Sequence, residues 1–194
     1  MSQMGLLFVF NEPPPAMEEE LNAWYDTDHI PERLSIDGFL SAVRYVSADR
    51  QRRYLALYDL AAIEVLQSEQ YKAYFGKSFT PWTKRIVTRT KVTRMEAIQV
   101  YPGDARAVPS ARFLLLRFTG VTRDEAALVV DGAKACFLGK PAVNQLRIFA
   151  GHGENDGSYI VIVAGAGQLE PLVDPVAFSR ASMRLDLAEV YLPY

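Results

Sequence analysis

The segment "NAWYDTDHIPERL", residues 22–34, concentrates the side chains best able to do chemistry. His29 titrates near neutral pH and can take or give a proton at little energetic cost. Asp26, three residues earlier, and Asp28 are candidates to orient the ring or raise its pKa. Trp24 and Tyr25 can wall an apolar pocket for an aromatic or polyketide-like ligand. Arg44 can bind a carboxylate or phenolate, or form an ordinary salt bridge. Tyr45, Tyr54 and Tyr58 are further pocket candidates, Tyr54 and Tyr58 sharing one strand parity. The bland alternative stands beside each assignment. Pro31 disfavours helical geometry at Ile30, so His29 can simply close a helix end by bonding a freed carbonyl. Trp and Tyr at helical spacing are ordinary core residues, and Asp28 and Glu32 are ordinary surface acids.

Other chemistries have less support. Two distant histidines, the second being His152 in the turn-like "AGHGENDG", make a poor metal site, and no Cys/His cluster has zinc spacing. No G-x-G-x-x-G fingerprint follows a strand, no P-loop occurs, and "GAG" at 165–167 reads as a turn. No G-x-S-x-G elbow is present. Nothing specific supports haem ligation by His29. No cofactor and no metal are therefore expected.

Bulk properties narrow the class. The chain has 194 residues, is 49% apolar and carries a formal net charge of −2, which suits a packed core and argues against disorder. Charge is spread evenly, so a nucleic-acid partner is not expected. The basic cluster of Lys84, Arg85, Arg89, Lys91 and Arg94 reads as a solvated helix end and strand face. The single cysteine, Cys136, lies in an apolar helical stretch and reads as a small buried hydrophobe. The first residues read as a strand rather than a signal peptide, and no apolar run approaches the ~20 residues of a membrane span. A cytoplasmic protein is expected.

The elements that position the motif follow from periodicity. Residues 5–10 read as a strand and residues 16–30 as a helix with an acidic first turn. Met17, Leu21, Trp24 and Tyr25 share one helical face. A short turn, "PERLS", follows. Residues 38–47 and 52–60 form a hairpin, 62–75 and 80–88 are helical, and 91–101 is a strand. Residues 102–111 read as a linker. Beyond it come a strand at 112–120, a helix at 122–138 with a Thr122/Glu125 capping box, strands at 142–151 and 158–166, a short helix at 174–183, and a closing strand at 185–194. The reading is α+β: two ferredoxin-like β-α-β-β-α-β repeats, 1–101 and 112–194, joined by the 102–111 linker. Runs such as "FLLLRF" and "YIVIVA" are apolar on both parities, as in a sheet buried on both faces. A ferredoxin-like unit leaves one sheet face open, so the two antiparallel sheets are expected to cover each other as an intramolecular barrel.

The residues Trp24, Tyr25, His29, Ile30, Pro31, Gly38, Arg44 and Tyr45 resemble the signature of the EthD-like branch of dimeric α+β-barrel proteins. That signature is a helix ending in W-Y-x-x-x-H-I-P, then a glycine-led strand with an R-Y pair. "YLALYDL" also resembles the third strand of such domains. The motif covers about the first 60 residues, and the second half lacks it. The resemblance implies a pseudo-dimer within one chain with a single candidate site. Two functions remain open. One is a cofactor-independent enzyme acting on a small aromatic or cyclic ketone-like compound by proton transfer or assisted oxygenation, with His29 as general acid/base. The other is a non-catalytic protein that binds a small apolar or aromatic ligand or a partner chain, a second copy of itself included.

Overall fold

The computed structural model describes residues 3–51, 53–74 and 78–194. Arg52, at the start of the strand expected over 52–60, and Phe75, at the end of the helix expected over 62–75, lie outside the described residues. Among the described residues, eight antiparallel strands close into one barrel: β1 (Gly5–Glu12), β2 (Phe39–Ser47), β3 (Tyr54–Leu60), β4 (Lys91–Tyr101), β5 (Arg112–Phe118), β6 (Val143–Gly151), β7 (Tyr159–Gly165) and β8 (Leu185–Pro193). Their order around the barrel is β1-β3-β2-β8-β5-β7-β6-β4. Two seams join the halves of the chain: β2 to β8 through Tyr45–Pro193, Val46–Leu192 and Ser47–Tyr191, and β4 to β6 through pairs such as Ala97–Gly151 and Ile98–Ala150.

Strand alternation sorts the apolar residues into layers. Leu6, Phe8 and Phe10 of β1, Leu55 and Leu57 of β3, Phe113 and Leu115 of β5, and Ile160 and Ile162 of β7 fill the barrel interior. The opposite parity packs outward. Leu7, Ala56 and Tyr58 meet the helices of the first half, whereas Leu114, Leu116, Val161 and Val163 meet α5 (Ala126–Phe137) and the 3-10 run Pro175–Arg184. The strands are apolar on both parities because both faces are covered. Cys136 is buried in that second outer layer.

The helical segment after β1 differs from the expectation. No helix end occurs at Ile30. Helix α1 (Glu18–Trp24) passes into a π-turn, Tyr25–His29, and then directly into α2 (Ile30–Leu34). The Ile30 N–H donates to the Tyr25 carbonyl, five residues back. Pro31 has no N–H for the Thr27 carbonyl, and its ring would press on that carbonyl in a regular helix. A turn widened by one residue relieves both problems, as π-bulges do.

Other boundaries shift modestly. The expected helix over 62–75 is a 3-10 turn, Ile63–Gln67, followed by the short α3 (Glu69–Lys72). Helix α4 spans Pro81–Arg89, capped by the Thr80 hydroxyl. Helix α5 starts at Ala126, later than expected, and only half of the capping box forms: Glu125 Oε2 accepts from the Thr122 N–H at 3.0 Å, while the Thr122 hydroxyl turns to Asp124.

Residues 102–111 are anchored across one barrel end. Gln99 accepts from the N–H groups of Gly103 and Ala105 and donates to the Ala105 carbonyl. Asp59 accepts from the Ala107 N–H at 2.8 Å and from Arg147 Nη1 at 2.6 Å. The Asp59 and Arg147 side chains are each 2% exposed.

Candidate functional site

The outward face of β1, β3 and β4 and the helices above it enclose a small pocket of about 120 Å³. Its floor is Leu7, Val9 and Asn11 of β1, Tyr58 of β3, and Val92 and Arg94 of β4; Trp24, Tyr25, His29 and Arg33 come from the α1–α2 segment, and Ile86 from α4. The volume is close to that of engineered apolar cavities that admit a single benzene ring. A polyketide-sized ligand would have to extend out of it.

His29 sits on the wall, its side chain 14% exposed. Its ring stacks on Trp24, with centroids 4.1 Å apart and planes 24° apart. The edges of Tyr25 and Tyr58 close round it at 5.2 and 6.4 Å. The Trp24 contact links residues five apart, which the π-turn makes neighbours. Trp24 is itself fixed by an indole N–H donated to Thr83 of α4 at 3.2 Å. The nearest carboxylate is Glu32, 3.7 Å from Nδ1, beyond hydrogen-bond reach. Burial pushes the His29 pKa below its ordinary 6.5, with Arg33 adding to the shift and Glu32 and Asp28 opposing it. The ring is therefore neutral at neutral pH, with one nitrogen able to accept a proton.

The phenols around it are held protonated. Tyr25 accepts a 2.8 Å bond from Asn11 Nδ2, and burial raises its pKa. Tyr58 is pushed well above the usual phenol range, chiefly by burial, and its hydroxyl has no hydrogen-bond partner among the described residues.

The structure brings together four of the residues singled out from the sequence: Trp24, Tyr25, His29 and Tyr58. The others lie elsewhere. Asp26 does not orient the imidazole; it accepts from Arg44 Nη1 at 3.0 Å and its side chain is 57% exposed. Asp28 makes no hydrogen bond or ion pair among the described residues, and acts on His29 only through its field. Arg44 stands over the far face of Tyr25, 4.6 Å from its centroid, and is also stacked by Tyr194 at 4.3 Å. Tyr45 points into the barrel against Phe113. Adjacent strand residues face opposite ways, so Arg44 and Tyr45 cannot share a site. Tyr54 is on the same face as Tyr58, but four residues along a strand is roughly 13 Å. It bonds Glu18 at 2.5 Å and Asn22 at 3.4 Å instead.

Asn11, Arg33, Tyr71, Thr83 and Arg94 complete the pocket without having been anticipated. Asn11 carries a readable signal, being a polar residue that follows the apolar run Leu6–Phe10 on the parity of Leu7 and Val9. Among the described residues no group of three His, Cys, Asp or Glu side chains is placed to hold a metal, and no helix is long and apolar enough to cross a membrane.

No family model matches the sequence and no curated protein does. Solved structures do match in shape. An anthrone oxidase-like protein superposes with a TM-score of 0.72 at 14% identity, covering 100% of this chain and 92% of that one. A proposed monooxygenase from Fusobacterium nucleatum gives 0.62 at 9% identity, covering 100% and 93%. A mutant chlorite dismutase from Candidatus Nitrospira defluvii gives 0.58 at 10% identity, covering 100% and 93%. The chain thus has the α+β-barrel fold of these proteins, with its own distinct sequence.

Proposed function

We propose that the chain is a cofactor-independent enzyme of the EthD-like type. It would act on a small aromatic or cyclic ketone-like compound, with His29 as general base. The observation that carries this reading is the buried imidazole of His29, stacked on Trp24 at the wall of an aromatic-lined pocket. A C–H beside a carbonyl would lose its proton to His29, leaving an enolate and an imidazolium. The proton then returns, or dioxygen oxidises the carbanion, converting CH2 to C=O with one oxygen atom retained and the other leaving as water. The names of two fold neighbours, anthrone oxidase-like protein and proposed monooxygenase, agree with oxidation of such a substrate. Fold alone does not fix chemistry. In this reading the halves 1–101 and 112–194 are tandem ferredoxin-like repeats, and only the first carries a site. The strand order supports the repeat, since β4-β1-β3-β2 and β8-β5-β7-β6 follow the same pattern in the two halves.

The binding-protein reading has one observation in its favour: His29 has a cavity beside it but no hydrogen-bonded orienting partner. Deuterium uptake into 2-tetralone, followed by NMR in heavy water, separates the two. Catalysed uptake that disappears in His29→Gln, with the fold intact, supports the enzyme. Uptake no faster than buffer, or unchanged in the variant, leaves a binding protein.

A further inference from the structure

The pocket holds a charge that the reaction scheme has not used. Arg33 of α2 is 3% exposed and lines the same cavity as His29. Its guanidinium carbon lies 5.2 Å from the Tyr71 ring centroid and 5.6 Å from that of Tyr74. Arg94 enters from β4, reaching within 5.6 Å of the same Tyr71 ring. Two cations therefore approach one aromatic ring, Tyr71, of a pocket whose lining also includes Asn11, His29 and Thr83. An arginine does not escape burial by losing its proton, so its field persists in a site of low dielectric.

From this placement we infer that the pocket selects a ring bearing an anionic oxygen group, an enolate, phenolate or carboxylate, with Arg33 as the residue that confers the preference. The inference rests on the proposed function for its substrate class, but its test reads binding alone. The charged groups around Arg33 are of both signs. Arg94 adds a second positive charge, although Glu96 pairs with it at 2.6 Å. Glu32 stands on the same helix as Arg33, beside His29. The field of Arg33 opposes protonation of His29 and favours the ionised forms of Tyr25, Tyr58 and Tyr71. A bound oxyanion in the same place would be favoured in the same way. A donor poised where negative charge develops is also what stabilises an enolate as it forms. The alternative is purely architectural: Arg33 ties α2 to α3 by stacking on Tyr71 and Tyr74.

Benzoate and toluene separate these possibilities, because they share a ring and differ in the anionic group. Titrations of the full chain at neutral pH, by calorimetry or ligand-observed NMR, should show benzoate binding at least tenfold more tightly than toluene. Arg33→Met should lose that preference while still binding toluene, and Arg33→Lys should keep most of it. Arg33→Gln serves as the neutral variant if the methionine variant does not fold. An unchanged benzoate-to-toluene ratio in the neutral variant overturns the inference, as does a wild-type chain that binds neither probe or prefers toluene. If Arg33→Met loses benzoate but His29→Gln leaves deuterium uptake unchanged, the anion site stands and the catalytic reading fails.

Discussion

His29 lies flat on Trp24, five residues before it, with 4.1 Å between ring centroids. In a regular α-helix these two side chains would point in different directions, because neighbours along one face are three or four residues apart. The single widened turn between Tyr25 and His29 brings them into register. The imidazole's position is thus set by backbone geometry, and that geometry traces to the proline two residues later.

The first prediction concerns that proline. Pro31→Ala restores a donor for the Thr27 carbonyl and removes the ring that opposes a regular turn. The helix should then revert to regular α-geometry and carry His29 off the indole. The upfield ring-current shift of the His29 carbon-bound protons, visible by NMR in the parent chain, should disappear, and any His29-dependent turnover should fall. Stability should change little or rise, since alanine is the better helix former. A shift that persists in the variant would show that packing, not the proline, holds the wide turn.

The second prediction follows from the direction of the His29 pKa. Burial holds it below 6.5 in the folded chain, so on acidification the unfolded chain takes up the proton first. Stability is then fully present above about 6.5, the ordinary histidine value, and declines as pH falls below it towards the folded pKa. Urea unfolding across pH 5–8 should show this loss, and His29→Gln should remove that part of it. A general base with the same pKa should give a rate that falls on the acid side, with its midpoint below the ordinary value.

Several of these features were legible in the residues, and others could not have been. Doubly apolar strands such as "YIVIVA" announce a sheet covered on both sides, and the structure covers both. The aromatic face of α1 is where helical spacing puts it. Arg44 and Tyr45 point to opposite faces of β2, a separation that strand parity alone dictates. The place of Asp26 and the continuation of the helix past Ile30 are not legible in the same way. Both depend on a widened turn that a 3.6-residue period does not encode. The seams β2–β8 and β4–β6 join strands far apart in the chain, and local pattern carries no register across such distances. Arg33 gave no signal because a charged residue in a short polar segment reads as exposed.

A third prediction contrasts two phenols on one wall. Tyr25 accepts from Asn11, whereas the Tyr58 hydroxyl is buried with no hydrogen-bond partner among the described residues. Tyr25→Phe should therefore cost about 1–2 kcal/mol by stranding the Asn11 amide. Tyr58→Phe should be neutral or stabilising by about 1 kcal/mol, because it removes an unsatisfied polar group. Thermal or urea unfolding of both variants checks the contrast. A Tyr58→Phe variant as destabilised as Tyr25→Phe would point to an ordered water satisfying that hydroxyl.

The last prediction concerns the barrel end closed by residues 102–111. Asp59 of β3 meets Arg147 of β6, one residue from each half of the chain, at a site where both side chains are 2% exposed. Asp59 also accepts from Ser41 at 3.0 Å and from the Ala107 N–H at 2.8 Å, so one carboxylate ties together two halves and the segment that joins them. Removing it leaves an arginine buried without its counter-charge, and Asp59→Ala should cost about 3–5 kcal/mol. Replacing both partners with apolar residues, Asp59→Leu with Arg147→Met, should recover most of that loss, since desolvation of the pair offsets much of its attraction. The double variant still lacks the acceptor for Ala107, so the 102–111 segment should exchange its amide protons faster even where global stability is restored. If the double variant is as unstable as the single one, the pair contributes net attraction. If exchange at Ala107 is unchanged in either, the strap is held by its other anchors: Gln99, Gln145, which accepts from the Val108 N–H and donates to the Arg106 carbonyl, and the Met4 N–H, which donates to the Gly103 carbonyl.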